Sequence, residues 1–280
     1  MAKKQPYSKD EHQREITKIL RSVSQTHGLW QVFKDFVGMS ALAISNAVDR
    51  QNYVEREAEY MAIVKRYNKE EANKIAEALA HVVEGLSAGM NDFLGSLFMS
   101  LELGNSWTGQ FFTPYEISLL MAKISVSAKC NEVEEKGFIT VADPAIGGGA
   151  MVIAAAEAML DAGHNYQNCM HCTGTDIDIV AVHMAYIQCS LLHIPSVIRH
   201  GNSLTNEVWS EWKTPAHVLG FWETKLKRAS EAKSQKLENQ QQYEMVDEQT
   251  HVSPIRLSSQ EDQIYTPVPD IDLRGQIALF

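Results

Sequence analysis

The sequence has little cysteine, no long apolar run and no excess of positive charge, and each shortage narrows the field. Only 4 of the 280 residues are Cys, too few for a disulfide scaffold and in keeping with a reducing, cytoplasmic compartment. No stretch approaches the ~18 consecutive apolar residues of a membrane span. The opening Met1-Ala2-Lys3-Lys4-Gln5-Pro6 has no apolar signal core. The 25 Lys and Arg against 35 Asp and Glu leave a formal charge of −10. That argues against a protein that coats a polyanion, because affinity for a phosphate backbone comes mainly from Lys and Arg and the counterions they displace. Local contact with nucleic acid stays open. What is present is 45% hydrophobic residues in a chain long enough for one or two globular domains.

The charge is uneven. Residues 1–105 carry 13 basic and 14 acidic side chains, residues 106–204 carry 4 and 9, and residues 205–280 carry 8 and 12. The first segment is helical in pattern throughout: Ile16, Ile19, Leu20 and Val23, then Trp30, Phe33, Phe36 and Val37, then Ile75, Leu79, Val82 and Val83 recur at helical spacing. Asn68 and Asp92 stand where N-caps or helix joints fall. From Glu116 a further helix leads to a different grammar. Phe138–Asp143, His171–Asp176 and Ser196–His200 read as strands, separated by helices near Ala150–Leu160 and Ile179–Leu192. That alternation predicts a parallel, doubly wound sheet. Residues 223–249 read as a polar helix and residues 250–275, with Pro254, Pro267 and Pro269, as a mobile tail.

The richest local signal is the strand followed by Asp143-Pro144-Ala145-Ile146-Gly147-Gly148-Gly149 and a helix. Glycines let the backbone turn tightly and approach a ligand, and a helix start supplies free N–H groups. The acid at the end of the next strand, Asp176, is placed to grip ribose hydroxyls. The glycines are consecutive and Val152 occupies the third position of G-x-G-x-x-G, which weakens an NAD reading. An acid before the glycines suits a ligand with an amino group better than a pyrophosphate. S-adenosylmethionine has both an ammonium and a ribose. The bland alternative is that the triplet is only a turn.

Gly109-Gln110-Phe111-Phe112-Thr113-Pro114, the Asp143–Gly149 loop, Gly174-Thr175-Asp176-Ile177-Asp178 and Gly201-Asn202-Ser203-Leu204 occur in the order and spacing of adenine-specific DNA methyltransferases. Over residues 1–204 the chain resembles the modification subunit of type I restriction systems. The resemblance implies an α/β, Rossmann-like S-adenosylmethionine-dependent methyltransferase core preceded by an all-helical domain. The corresponding boundaries are 1–105, 106–222, 223–249 and 250–280. It further implies that Phe112, Thr113 and Pro114 line the methionine end of S-adenosylmethionine and that Asp143 holds its ammonium. Gly147 and Gly149 permit close approach, Asp176 accepts from both ribose hydroxyls, and Ile177 covers the adenine. Asn202 stands where the family usually has Asp, its carbonyl accepting from the adenine amino group. DNA and a specificity subunit or a second copy are the implied partners.

The family's Asn-Pro-Pro-Tyr motif, which holds and stacks a flipped adenine, has no counterpart in the sequence. Thr214-Pro215-Ala216-His217 is the best positional substitute: Thr214 can accept a hydrogen bond and His217 can stack beside Pro215, although the same residues also read as a polar loop. Glu207–Lys213 does not read as a strand, and Val218–Trp222 is the candidate for one more. Only 76 residues follow Leu204, so the sheet is either truncated or completed from elsewhere. The final Gln276-Ile277-Ala278-Leu279-Phe280 resembles the short peptide that binds the bacterial sliding clamp. In that reading Gln276, Leu279 and Phe280 make the contacts; packing on the chain's own domain is the alternative. The lone Cys169-Met170-His171-Cys172 favours buried thiols over a metal, so no metal is expected. Lys225, Lys227, Arg228, Lys233 and Lys236 read as a solvated helix face. Two functions follow: methyl transfer to adenine in DNA, or a non-catalytic relative that binds DNA, a partner or the clamp.

Overall fold

The structure, a computed structural model, describes residues 9–103, 112–235 and 277–278. The first part is helical, as its periodicity predicts. The helices are α1 (Lys9–His27), α2 (Leu29–Val48), α3 (Tyr53–Val64), α4 (Lys69–Ser87) and α5 (Phe93–Ser100). The expected joints are N-caps. Asn68 accepts from the Glu71 N–H while Glu71 reaches back to the Asn68 N–H, and Asp92 accepts from the Gly95 N–H. Such caps satisfy helix donors that have no partner within the helix. Gly28, at φ 75°, makes the sharp turn from α1 to α2.

The α/β part follows as α6 (Tyr115–Ser127), α7 (Cys130–Lys136), β1 (Ile139–Asp143), α8 (Ala150–Asp161), α9 (Tyr166–Cys169), β2 (Met170–Asp176), α10 (Ile179–Leu191), β3 (Ser196–Asn202), β4 (Glu207–Lys213) and α11 (Pro215–Leu219). Residues 222–235 form α12, and β5 is Ile277–Ala278. The sheet order is β4-β3-β2-β1-β5. β1 pairs in parallel with β2 and β5, and β2 with β3, while β3 and β4 are antiparallel. A Rossmann-like core of reduced size preceded by helices is therefore the fold.

Two expectations are corrected. Glu207–Lys213 is a strand, and its disguise is that of a sheet edge: only Trp212 is buried, so little apolar alternation is required of it. Val218–Trp222 is not a strand. Thr214 caps α11 by accepting from the His217 N–H, and Pro215 occupies the first turn, where its missing N–H costs nothing.

The helical and α/β parts share one hydrophobic core that runs from Ile16 to Trp212. Arg56 of α3 stacks over the Trp212 ring at 4.1 Å and donates to Asp49 and to the Glu211 carbonyl, both at 2.6 Å. The chain forms two compact units that divide at Gly220/Phe221, with Ile277 and Ala278 in the first. In the second unit Lys225, Lys227, Arg228 and Lys233 are exposed along α12, and Lys225 lies over the Trp222 ring at 4.4 Å. The remainder of the expected polar helix, Lys236 and the expected mobile tail lie outside the described residues. Among the described residues no helix is long and apolar enough to cross a membrane.

Candidate functional site

Parallel strands place their carboxyl ends on one side of the sheet, where ligands of such folds sit. Here those ends carry Asp143 of β1, Asp176 of β2 and Asn202 of β3. The loop Pro144–Gly149 rises from β1 and enters α8. Gly147 and Gly149 have φ of 55° and 97°, a region that L side chains rarely adopt. Gly149 is also pressed on α10, where a Cβ would stand 3.4 Å from Ala185 Cα. Both glycines are thus required by backbone geometry, beyond being a tight turn.

Asp143 is 1% exposed. One carboxylate oxygen accepts from the Ala145 N–H at 3.0 Å, and the other, Oδ2, is buried without a hydrogen-bond partner. Burial pushes its pKa up to about 7, and the neighbouring Asp176 charge adds to the rise. A buried acceptor with no donor is a site for a cation or a donor from outside the chain. This is the observation by which the glycine loop fits a ligand bearing an ammonium.

The other predicted residues fall around it. Asp176 accepts from the Gly147 N–H through Oδ2 and from the Asp178 N–H through Oδ1, both at 2.9 Å. It therefore braces the loop, and each oxygen keeps a second lone pair for a hydroxyl. Burial raises its pKa as well. Ile177 is 62% exposed, an apolar surface free for a flat ring. Phe112 lies on the loop: a Cβ at Gly147 would meet its ring at 2.9 Å, and Phe98 supports it edge-on at 5.4 Å. Thr113 is half-buried and Pro114 exposed at the start of α6. Asn202 differs from expectation. Its side-chain carbonyl accepts from the Leu204 and Thr205 N–H groups at 2.9 and 3.4 Å, an Asx turn that shapes the β3–β4 hairpin.

Thr214, Pro215 and His217 are not brought to this site. β4 runs antiparallel to β3, so its end lies at the amino ends of the parallel strands, across the sheet from Asp143. Thr214 is fully buried; its hydroxyl donates to the Ile194 carbonyl and accepts from the Ser196 N–H, both at 2.9 Å. His217 shares a 2.9 Å hydrogen bond with His171 of β2, whose pKa burial drives down to about 3, so His171 is neutral. Thr214→Val is expected to lower stability by about 2–4 kcal/mol, by orphaning two buried backbone groups, and to leave S-adenosylmethionine affinity unchanged. Thermal melting beside calorimetry checks this; intact stability with lost affinity would restore a role at the cofactor site.

Residues that sequence reasoning missed include Gln188, which is fully buried in α10 and reaches the loop carbonyl of Gly148 at 2.7 Å. No local pattern marks a contact across 40 residues of chain. Missed as well is a cleft of about 750 Å³ between the α2–α3 corner and the β3–β4 hairpin, lined in part by Glu55, Glu59, His183 and Trp209. Cys172 is buried on β2 and Cys169 half-buried. Among the described residues no three His, Cys, Asp or Glu side chains converge as a metal site. Gln276, Leu279 and Phe280 lie outside the described residues, while Ile277 and Ala278 between them pair with Val141 and Ala142.

The family model for N-6 DNA methylases matches residues 98–249. No curated protein matches the chain. Among solved structures, a class I S-adenosylmethionine-dependent methyltransferase from Listeria monocytogenes is similar at 14% identity and TM-score 0.40, over 71% of this chain and 55% of its own. The methyltransferase subunit of a type I restriction-modification system from Streptococcus thermophilus is similar at 15% identity and TM-score 0.36, over 73% and 60%. The DrdV–DNA complex is similar at 17% identity and TM-score 0.36, over 66% and 23%. The chain thus spans little more than half the length of the first of these.

Proposed function

The chain belongs to the N-6 DNA methylase family, and on that premise we propose that it binds S-adenosylmethionine in the glycine-loop cleft and serves methylation of adenine in DNA. The observation that carries this reading is the buried, unpartnered Oδ2 of Asp143. The bound cofactor would supply a sulfonium methyl group as electrophile. Asp143 would hold the ammonium, Asp176 the ribose hydroxyls through its free lone pairs, and Ile177 the adenine face. Phe112 would wall the methionine end beside Thr113 and Pro114, and the loop N–H groups of Gly147 to Gly149 would stay fixed. With its carbonyl held in the hairpin turn, Asn202 would meet the adenine through its side-chain NH2.

A second reading is favoured by one placement. Thr214, Pro215 and His217 stand at the far end of the sheet from Asp143 and so are not placed to accept from an amino group at the cleft. The protein would then bind cofactor and partner without transferring a methyl group. Recruitment to the sliding clamp through Gln276, Leu279 and Phe280 belongs to both readings. Because Ile277 and Ala278 pair with β1, docking there would first release that strand. A specificity subunit or second copy would supply the missing DNA contacts.

Calorimetry against pH tests the cofactor site. Asp143 is protonated below about 7, and a neutral acid holds an ammonium poorly. Affinity should therefore fall by up to about tenfold per pH unit below 7, and fall again as the ligand's α-amino group deprotonates near ~8. No binding at any pH overturns the reading. Tritiated methyl transfer to mixed DNA then separates the two functions. Repeating it with added clamp, and with a chain lacking Leu279 and Phe280, tests recruitment: stimulation that survives the deletion sinks it.

A further inference from the structure

The glycine loop is held from outside the cleft by a buried network that joins distant parts of the chain. The Gln188 amide is fully used. Its Nε2 donates to the Gly148 carbonyl at 2.7 Å and to Asp92 Oδ1 at 2.9 Å, while Oε1 accepts from the Leu94 N–H at 2.9 Å. Asp92 is 3% exposed and caps α5 through the Gly95 N–H at 2.9 Å. The approach is tight: a Cβ at Gly148 would stand 3.1 Å from Asp92 Oδ1 and 3.4 Å from Gly95 Cα. The start of α5 thus rests directly on the loop.

A peptide unit between two glycines rotates with little steric resistance, since neither neighbour has a Cβ. The unit joining Gly148 to Gly149 is held at both ends: Gln188 takes its carbonyl, and its N–H donates to the Ile146 carbonyl at 2.9 Å. Rotation would break both bonds and leave one Gln188 N–H and the Ile146 carbonyl without these partners in the core, where such groups are costly. Only an amide provides two N–H donors and one acceptor at this position. A carboxylate would face the Asp92 carboxyl and the Gly148 carbonyl with no proton to offer, and an aliphatic chain would satisfy none of the three partners.

We infer that Gln188 is a positioning residue for the cofactor loop, and that through Asp92 it couples the loop's conformation to the N-terminal end of α5. The inference rests on the reading that this loop receives S-adenosylmethionine. Its consequence is reciprocal: a ligand that orders the loop must also order the start of α5, and loosening α5 must weaken the ligand.

The test uses the full chain, with S-adenosylmethionine as probe, calorimetry for affinity and amide hydrogen exchange for order. In the native protein the cofactor should slow exchange at Gly147–Gly149 and also at Leu94 and Gly95, which are buried at the start of α5. Gln188→Met, close in volume, should weaken the cofactor at least about tenfold. It should also speed loop exchange and abolish the cofactor's effect at Leu94 and Gly95. Asp92→Asn keeps an acceptor for both Gly95 and Gln188 and should stay near the native affinity. If Gln188→Met fails to fold, Gln188→Asn, one methylene too short to span both partners, is read on the same scale. Unchanged affinity and unchanged loop exchange in the variant overturn the inference. A native chain that binds no S-adenosylmethionine overturns the reading of the cleft instead, while loop exchange in the unliganded variant still decides the role of Gln188.

Discussion

Asp143→Asn is expected to make the cofactor-free protein more stable at pH 8 while weakening its binding of S-adenosylmethionine. The two effects have one origin. The buried carboxyl has its pKa pushed from the ordinary 3.8 up to about 7. A folded-state value above the unfolded one means that the native chain binds the extra proton between those limits. Stability therefore falls as pH rises from about 4 to about 7 and stays low above. The full difference corresponds to roughly 4 kcal/mol. The amide carries no charge but leaves an N–H group where Oδ2 was unpartnered, which takes back about 1–2 kcal/mol. A net gain of about 2–3 kcal/mol at pH 8, turning into a loss of about 1–2 kcal/mol by about pH 4, is the expected result in melting experiments. Ammonium recognition loses its charge-assisted hydrogen bond, so affinity should drop by about 10- to 150-fold. A variant that is no more stable than the native chain at pH 8 would show that Asp143 is ionised without cost.

Gly201→Ala should be the most damaging small substitution in the hairpin beside the site. A Cβ there would drive into the Glu207 backbone carbonyl and stand 3.1 Å from Val208 Cα. Backbone atoms cannot swing away as a side-chain tip can, and the β3–β4 register already shifts between His200 and Gly201. The strands must part, at a cost of about 2–4 kcal/mol, or roughly 5–15 °C in melting temperature for a domain of this size. Because Asn202 and the hairpin turn follow directly, cofactor affinity should fall with it. Trp209, 52% exposed and edge-on to His200 at 4.8 Å, reports hairpin opening by fluorescence. A melting temperature within a degree of native would show that the hairpin has slack.

The parts of this fold that were legible in the sequence are those governed by local chemistry. Asn68 and Asp92 read as caps because a short polar side chain before an apolar period has few other uses. The Asp143–Gly149 loop read as a ligand loop because positive-φ glycines after an apolar strand and before a helix are a strong combination. The rest depends on contacts between distant residues. β4 escaped because an edge strand with one buried side chain needs no alternation. β5 is two residues long and carries no pattern of its own. Thr214 and His217 looked available as polar residues, yet both meet buried partners, Ile194, Ser196 and His171, which no spacing rule reveals. Asn202 was read for its acceptor, and the hairpin had already taken it.

The burial of α2 bears on how the chain is made. Most of its faces are apolar and covered, with Val32, Phe33, Phe36, Val37, Ala41 and Leu42 all fully buried. One of its covering walls is α10, which begins at Ile179. During synthesis at ~5–20 residues per second, that wall arrives roughly 7–30 s after α2 has been completed. For that interval α1, α3 and α4 can pack on α2, but the face that α10 covers stays open. Folding of the helical segment is thus completed only once the α/β part has emerged.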